Sequence, residues 1–329
     1  MSPGRFATIQ LLALGLLAPT LHAQSTSAPN ASETRPTAPR PGTDEEIGTW
    51  RFKTKKPVQA IVLGGSVAAY TGGNFGDALG EICANVEIRN IAKTGYGAWA
   101  LKKRFQAQVL KNRRVRRTPP ETERWLIFHG GLNSVGNPEK TNAHIRDTFV
   151  LAHKAGFQVA GLSLTPWGAD HDKRRWRGIR AIRYLEATQK TVDFMLGRLS
   201  PAQALGSRAK SSAWAPGELP DIGVDLHASP LRASSAAPRD GEAMARAFDR
   251  SARWKKHIAN LPEAERSAER ERLIRLAVHA PQHYLRKELQ AFDHIHPNRR
   301  GHRLIAAIAC PKLPKSWGCA CDALVEESP

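Results

Sequence analysis

The chain predicts an α/β fold, a flavodoxin-like doubly wound parallel sheet of five strands in three α/β/α layers, with a helical insertion before its last loop and helix. Three observations predict it. Short, continuously apolar runs recur, as in strands buried on both faces. Amphipathic helical stretches alternate with them, as crossover helices do. Small or turn-forming residues follow each run, where a parallel strand hands over to its helix.

The first run, "PVQAIVLGG" (57–65), reads as a strand and "GDALGEICANV" (76–86) as the helix after it. "VEIRNIA" (86–92) alternates as a second strand, and 98–112 is read as one helix. "RWLIFHGG" (124–131) is a third strand. "TNAHIRDTFVLAHKAG" (141–156) is an amphipathic helix closed by Gly156. "FQVAGLSLTP" (157–166) and "DIGVDL" (221–226) are the fourth and fifth strands, separated by the long helix "IRAIRYLEATQKTVDFMLGRL" (179–199). Residues 240–292 are charged and helical by periodicity, and "RRGHRLIAAIA" (299–309) is the last helix needed to cover the sheet. In such sheets ligands sit beyond the carboxyl ends of the strands. That rule gathers Ser66, Gly95, Gly131, Asn133, the Thr165-Pro166-Trp167 segment and His227 at one edge.

The ends of the chain speak of compartment. Arg5 precedes the apolar "IQLLALGLLAPTLHA", a positive start, a short apolar stretch and a cleavage site after Ala23. Residues 1–23 are therefore expected to be an export signal, for a bacterial periplasm or the exterior, leaving no transmembrane segment in the mature chain. Residues 24–49 are Ser-, Thr- and Pro-rich and read as a disordered tether. The folded domain is expected over 50–329, with a cysteine-containing tail at 311–329. Cys83, Cys310, Cys319 and Cys321 fit disulfides in an oxidising space, with the pairing open.

The formal charge of +19 over 329 residues favours anionic partners, such as envelope polymers, or is simply a solvated basic surface. The basic runs at 101–117 and 173–183 lack the aromatic interleaving of a nucleic-acid groove. Export argues against nucleic acid as well.

Chemistry concentrates in "AFDHIHPNRRGHRLIA" (291–306). Asp293 precedes His296 by three positions, so one loop can hold a carboxylate against one imidazole nitrogen and leave the other facing a serine. The same stretch also reads as a helix-capping loop. Asp170-His171 and Asp225-Leu226-His227 are competing pairs.

Four segments together resemble the SGNH hydrolases, the GDSL-type esterases and lipases. They are "VLGGSV", "RNIAKTGYGA", "IFHGGLNSV" and "DHIHPNRRGH", in that order over about residues 57–310. The resemblance implies Ser66 as nucleophile, His296 as base and Asp293 as its orienting carboxylate. It implies an oxyanion hole from the Ser66 and Gly95 N–H groups and the Asn133 amide. Gly65, Ala92 and Ser134 depart from the family pattern at positions that are not catalytic. Trp167, His129 and Asp170 are candidate substrate contacts. The mechanism requires neither metal nor cofactor. The expected activity is hydrolysis, or transfer, of acyl or acetyl esters of a lipid or glycan. The alternative is an inactive binding protein of the cell envelope on the same scaffold.

Overall fold

The computed structural model describes residues 50–171 and 175–324. The expected export signal (1–23) and tether (24–49) lie outside the described residues. The sheet is built outward from β1 (Val58–Gly64), buried along its whole length. It pairs in parallel with β2 (Val86–Asn90) on one side and β3 (Glu123–His129) on the other. β4 (Gln158–Leu162) and β5 (Ile222–Val224) follow, giving the order β2-β1-β3-β4-β5. This is the flavodoxin-like order, with its switch point between β1 and β3. The register sets Gly64 beside His129, so the two strands end together.

Successive β1 side chains alternate between two cores. Ala60 and Val62 join the layer of α1 (Phe75–Ile82), and Ile61 and Leu63 the layer containing α2 (Ala98–Phe105). α1 is capped by Asn74, whose side chain accepts from Gly76 N and Asp77 N while the Asp77 carboxylate accepts from Asn74 N. The expected single helix over 98–112 is instead broken. After α2 the chain widens into a π turn at Gln106–Leu110 and restarts as α3 (Arg113–Arg116). Asn112 causes the restart, because its carbonyl oxygen caps Arg114 N and its amide donates to Trp50 O at 2.8 Å.

α4 (Pro138–Lys154) and α5 (Arg180–Met195) are the crossover helices around β4, and α6 (Pro201–Leu205) is a short turn on the way to β5. The stretch expected as an insertion forms α7 (Gly241–Asp249), α8 (Ala252–Ala259) and α9 (Glu263–Val278). Phe248, Trp254, Leu273 and Ala277 pack these helices on Ile182 of α5. α10 (Arg299–Ala309) then returns to α1 and closes the first layer.

Both disulfides serve the C-terminal tail. Cys83 at the end of α1 pairs with Cys319, and Cys310 at the end of α10 pairs with Cys321. Trp317, between them, is fully buried against Trp125. Bridges of this kind contribute about 2–4 kcal/mol each, the more so the longer the loop they close. Among the described residues no helix is long and apolar enough to cross a membrane.

Candidate active site

Ser66 stands in the turn that ends β1, and the two glycines before it have different causes. A Cβ on Gly64 would lie 2.2 Å from the His129 carbonyl oxygen, so only glycine lets β1 and β3 end this close. A Cβ on Gly65 would lie 3.3 Å from Asn133 Nδ2 and 3.5 Å from Tyr96 O. Gly65 therefore keeps room for the Asn133 amide. The serine turn is closed by Ala69 N donating to Gly65 O at 3.0 Å, and is tied to β2 by Asn90 Nδ2 donating to Ala68 O at 2.7 Å.

His296 Nε2 lies 2.5 Å from Ser66 Oγ, and its Nδ1 is held by the Asp293 carboxylate. The loop is shaped for this. Asp293 Oδ1 accepts from Ile295 N and His296 N at 3.1 and 3.0 Å, an Asx-type turn that presents the imidazole. Between them His294 has φ 59°, the one left-handed non-glycine residue among those described, and its Nδ1 meets Gln290 Oε1 at 2.9 Å. Burial pushes the Asp293 carboxyl up, but the two N–H groups and the ring outweigh it and hold it below the usual carboxylate range. The capping reading of this stretch is also realised, since Asn298 caps α10 by accepting from Gly301 N. One loop does both jobs.

Asn133 lines the small pocket beside Ser66, and the segment that carries Gly95 runs along the end of β1, with Lys93 N donating to Gly64 O at 3.0 Å. Among the described residues, Ser66 N and Gly95 N donate to no acceptor. Gly95 has φ 82°, which favours glycine. Asn133 Nδ2 donates to Tyr96 O at 3.2 Å, which fixes the amide and leaves its second N–H to spare. Ser134 bridges the loop. It accepts from Ala98 N at 3.1 Å and donates to Gly131 O at 3.2 Å, capping α2 from outside because Gly97 has no side chain to do so. Asn133→Ala is expected to lower turnover of an ester about 10²–10³-fold. Gly65→Val should act by displacing that amide, so adding it to Asn133→Ala should cost little more. Steady-state kinetics of the two single variants and the double variant check this coupling.

The candidate substrate contacts fare differently. Trp167, expected near the surface, is instead 1 % exposed, set edge-on to Trp176 and bonded through Nε1 to Thr188 Oγ1, so it is a core residue. Asp170 is taken up by Arg239, which also bonds the carbonyls of Trp176, Gly178 and Ala277 and the Tyr284 hydroxyl. Asp170 thereby braces the β4 loop against the helical insertion. His129 borders the small pocket beside Ser66, but its ring is buried against Phe75, and burial pushes its pKa down to about 4. It is a neutral wall, not a flexible contact.

The competing Asp/His pairs are not built. Asp225 pairs with Arg198 at 2.8 Å and accepts from Ala228 N, while His227 is buried. His171 leans edge-on against His294 with ring centres 4.2 Å apart, buttressing the Asp293–His296 loop. Sequence reading missed this contact, the Asn90 tie and the Arg239 hub. Each joins residues far apart in the chain. Among the described residues no group of three or more His, Cys, Asp or Glu side chains is placed to hold a metal ion.

No protein-family model and no curated protein matches the chain. Solved structures do align with it. A lipolytic protein of the G-D-S-L family from Veillonella parvula DSM 2008 is 13% identical, with 77% of this chain and 97% of that chain covered at a TM-score of 0.42. An acetyl xylan esterase is 12% identical, with 78% of this chain and 100% of that chain covered at a TM-score of 0.43. A GDSL-like lipase from Bacteroides thetaiotaomicron VPI-5482 is 15% identical, with 80% of this chain and 90% of that chain covered at a TM-score of 0.43.

Proposed function

We propose that the chain is an exported serine ester hydrolase of the SGNH type, acting on acyl or acetyl esters of a lipid or glycan through an acyl-serine intermediate. The observation that carries this reading is the His296 imidazole held between Asp293 and Ser66. In the reaction, His296 Nε2 takes the Ser66 proton as Oγ attacks the ester carbonyl. Asp293 stays ionised, fixes the tautomer and stabilises the imidazolium. The Ser66 and Gly95 N–H groups and the Asn133 amide receive the oxyanion. Collapse expels the alcohol, which takes the proton from His296. Water, activated by the same base, then releases the acid; a sugar hydroxyl in its place makes the site an acyltransferase.

The pocket between Gly65, Ser66, His129, Gly131 and Asn133 is small, admitting little more than one water-sized group beside Ser66. That favours a short acyl group such as acetyl. Two disulfides support export, since such bonds persist in oxidising compartments. Labelling with a fluorophosphonate tests the reading. One adduct on Ser66, absent from Ser66→Ala, is the expected result. An unlabelled wild-type chain with no turnover of p-nitrophenyl acetate would instead favour the inactive binding protein.

A further inference from the structure

A second cleft has no part in the chemistry at Ser66. It has a volume of about 370 Å³ and is lined by Ile179, Arg180, Arg183, Tyr184, Ser251, Arg253 and Trp254. That is large enough for a small ligand. Among the described residues that line it, three are arginines and none is a carboxylate. Two of those guanidinium groups are set over aromatic rings, Arg183 at 5.8 Å from the Tyr184 ring centre and Arg253 at 5.5 Å from that of Trp254. Stacking of this kind holds the planar fork in place and leaves its N–H edge for a ligand. Arg183 donates only weakly to protein, to Gly136 O at 3.3 Å.

Two helices also begin at this cleft. α5 starts at Arg180 and α8 just after Ser251, and neither has a side-chain cap. Arg180 N and Ala181 N of α5 already donate to Arg177 O and Gly178 O, so it is the positive dipole ends of the two helices that add to the field of the arginines. Forked donors and helix starts select the same chemistry, a planar or tetrahedral oxyanion. Tyr184, Trp254 and Ile179 supply apolar walls for whatever carries it. The Gly136 contact places the cleft next to the loop that bears Asn133, three residues away in sequence.

We propose that this cleft is a binding site for a small organic ligand bearing an oxyanion, a phosphate or a carboxylate. The basic charge of the chain thus has a local, built receptor in addition to its general field.

Isothermal titration at 150 mM NaCl tests this, using glucose 6-phosphate, glucuronate and uncharged glucose as probes. The full chain carrying Ser66→Ala serves as the background, so the result does not depend on ester turnover. At least one anionic probe is expected to bind, and glucose to bind at least about tenfold more weakly. Arg183→Gln with Arg253→Gln should weaken the anion about tenfold. Arg113→Gln with Arg116→Gln on exposed α3 removes the same charge elsewhere and should change affinity less than about twofold. Equal losses in the two pairs would make the effect one of general field and overturn the site. So would binding of glucose as tight as that of the anions, or no binding of either anion.

Discussion

Replacing His296 by alanine is expected to lower kcat for p-nitrophenyl acetate by about 10⁴–10⁶-fold, with the fold and melting temperature nearly unchanged. The size follows from what the residue does. Without it Ser66 keeps its proton, and only the oxyanion donors and binding remain to accelerate the reaction. The fold should survive, because the side chain is a quarter exposed and its contacts are to Ser66 and Asp293. Asp293→Asn is the sharper variant. Its Oδ1 can still accept from Ile295 N and His296 N, so the turn persists. Its amide then faces His296 Nδ1 and favours the tautomer that cannot take the Ser66 proton. A fall of about 10⁴-fold in kcat without loss of fluorescence-detected stability is the expected outcome. Ser66→Ala should be no worse than His296→Ala, and the double variant no worse than either, because the members act as one unit. Activity of His296→Ala within tenfold of wild type would mean that another base serves Ser66, and the assignment would fail.

How much of this was legible in the sequence depends on how local each cause is. Strand order and the edge of the sheet were legible because continuous apolar runs and helical periodicity are local signals. The Asp293–His296 pair was legible because three residues of one loop decide it. Trp167 was misread for the opposite reason. Set among basic residues it looks exposed, but its burial comes from Trp176 and the wider aromatic cluster that Tyr184 and Tyr284 complete. Asn112 broke the expected long helix by reaching Trp50, 62 residues away. The disulfide pairing required the tail to return over α1, bringing together residues 236 apart in sequence. Gly65, the atypical glycine, becomes intelligible only once Asn133 is seen above it.

The second large effect is on stability in acid. Lowering the pH from 6.5 to about 4 is expected to unfold the chain cooperatively, because it buries three histidines that stay neutral. Burial pushes His129 and His227 down to about 4 and His302 down to about 3. The unfolded chain takes up these protons near 6.5. The folded chain cannot do so until the pH is about 2.5 to 3.5 units lower. Stability is therefore whole above about 6.5 and declines as the pH falls towards the folded values. Each histidine costs on the order of 3 kcal/mol across that window, and three together rival the total stability of a typical domain. The net charge of +19, which grows as histidines protonate, acts in the same direction. Lowered carboxylates such as Asp147 and Glu139 release their stabilisation mainly below their own ordinary range, and so extend the decline without starting it. Melting temperatures followed by circular dichroism between pH 7.5 and 4 check this. A flat profile down to pH 4.5 would contradict it. His302→Phe isolates one contributor. His302 is fully buried, stacked on Tyr70 at 4.7 Å, and neither of its ring nitrogens has a hydrogen-bond partner, so an aromatic without nitrogen can replace it at little cost. That variant should shift the acid midpoint downward and shallow the slope by about one proton. Tyr70 lies at the end of the Ser66 turn, and Phe75 packs between His302 and His129. Charging either histidine thus loosens the floor under the nucleophile, and ester turnover should be lost over the same pH interval as the fold.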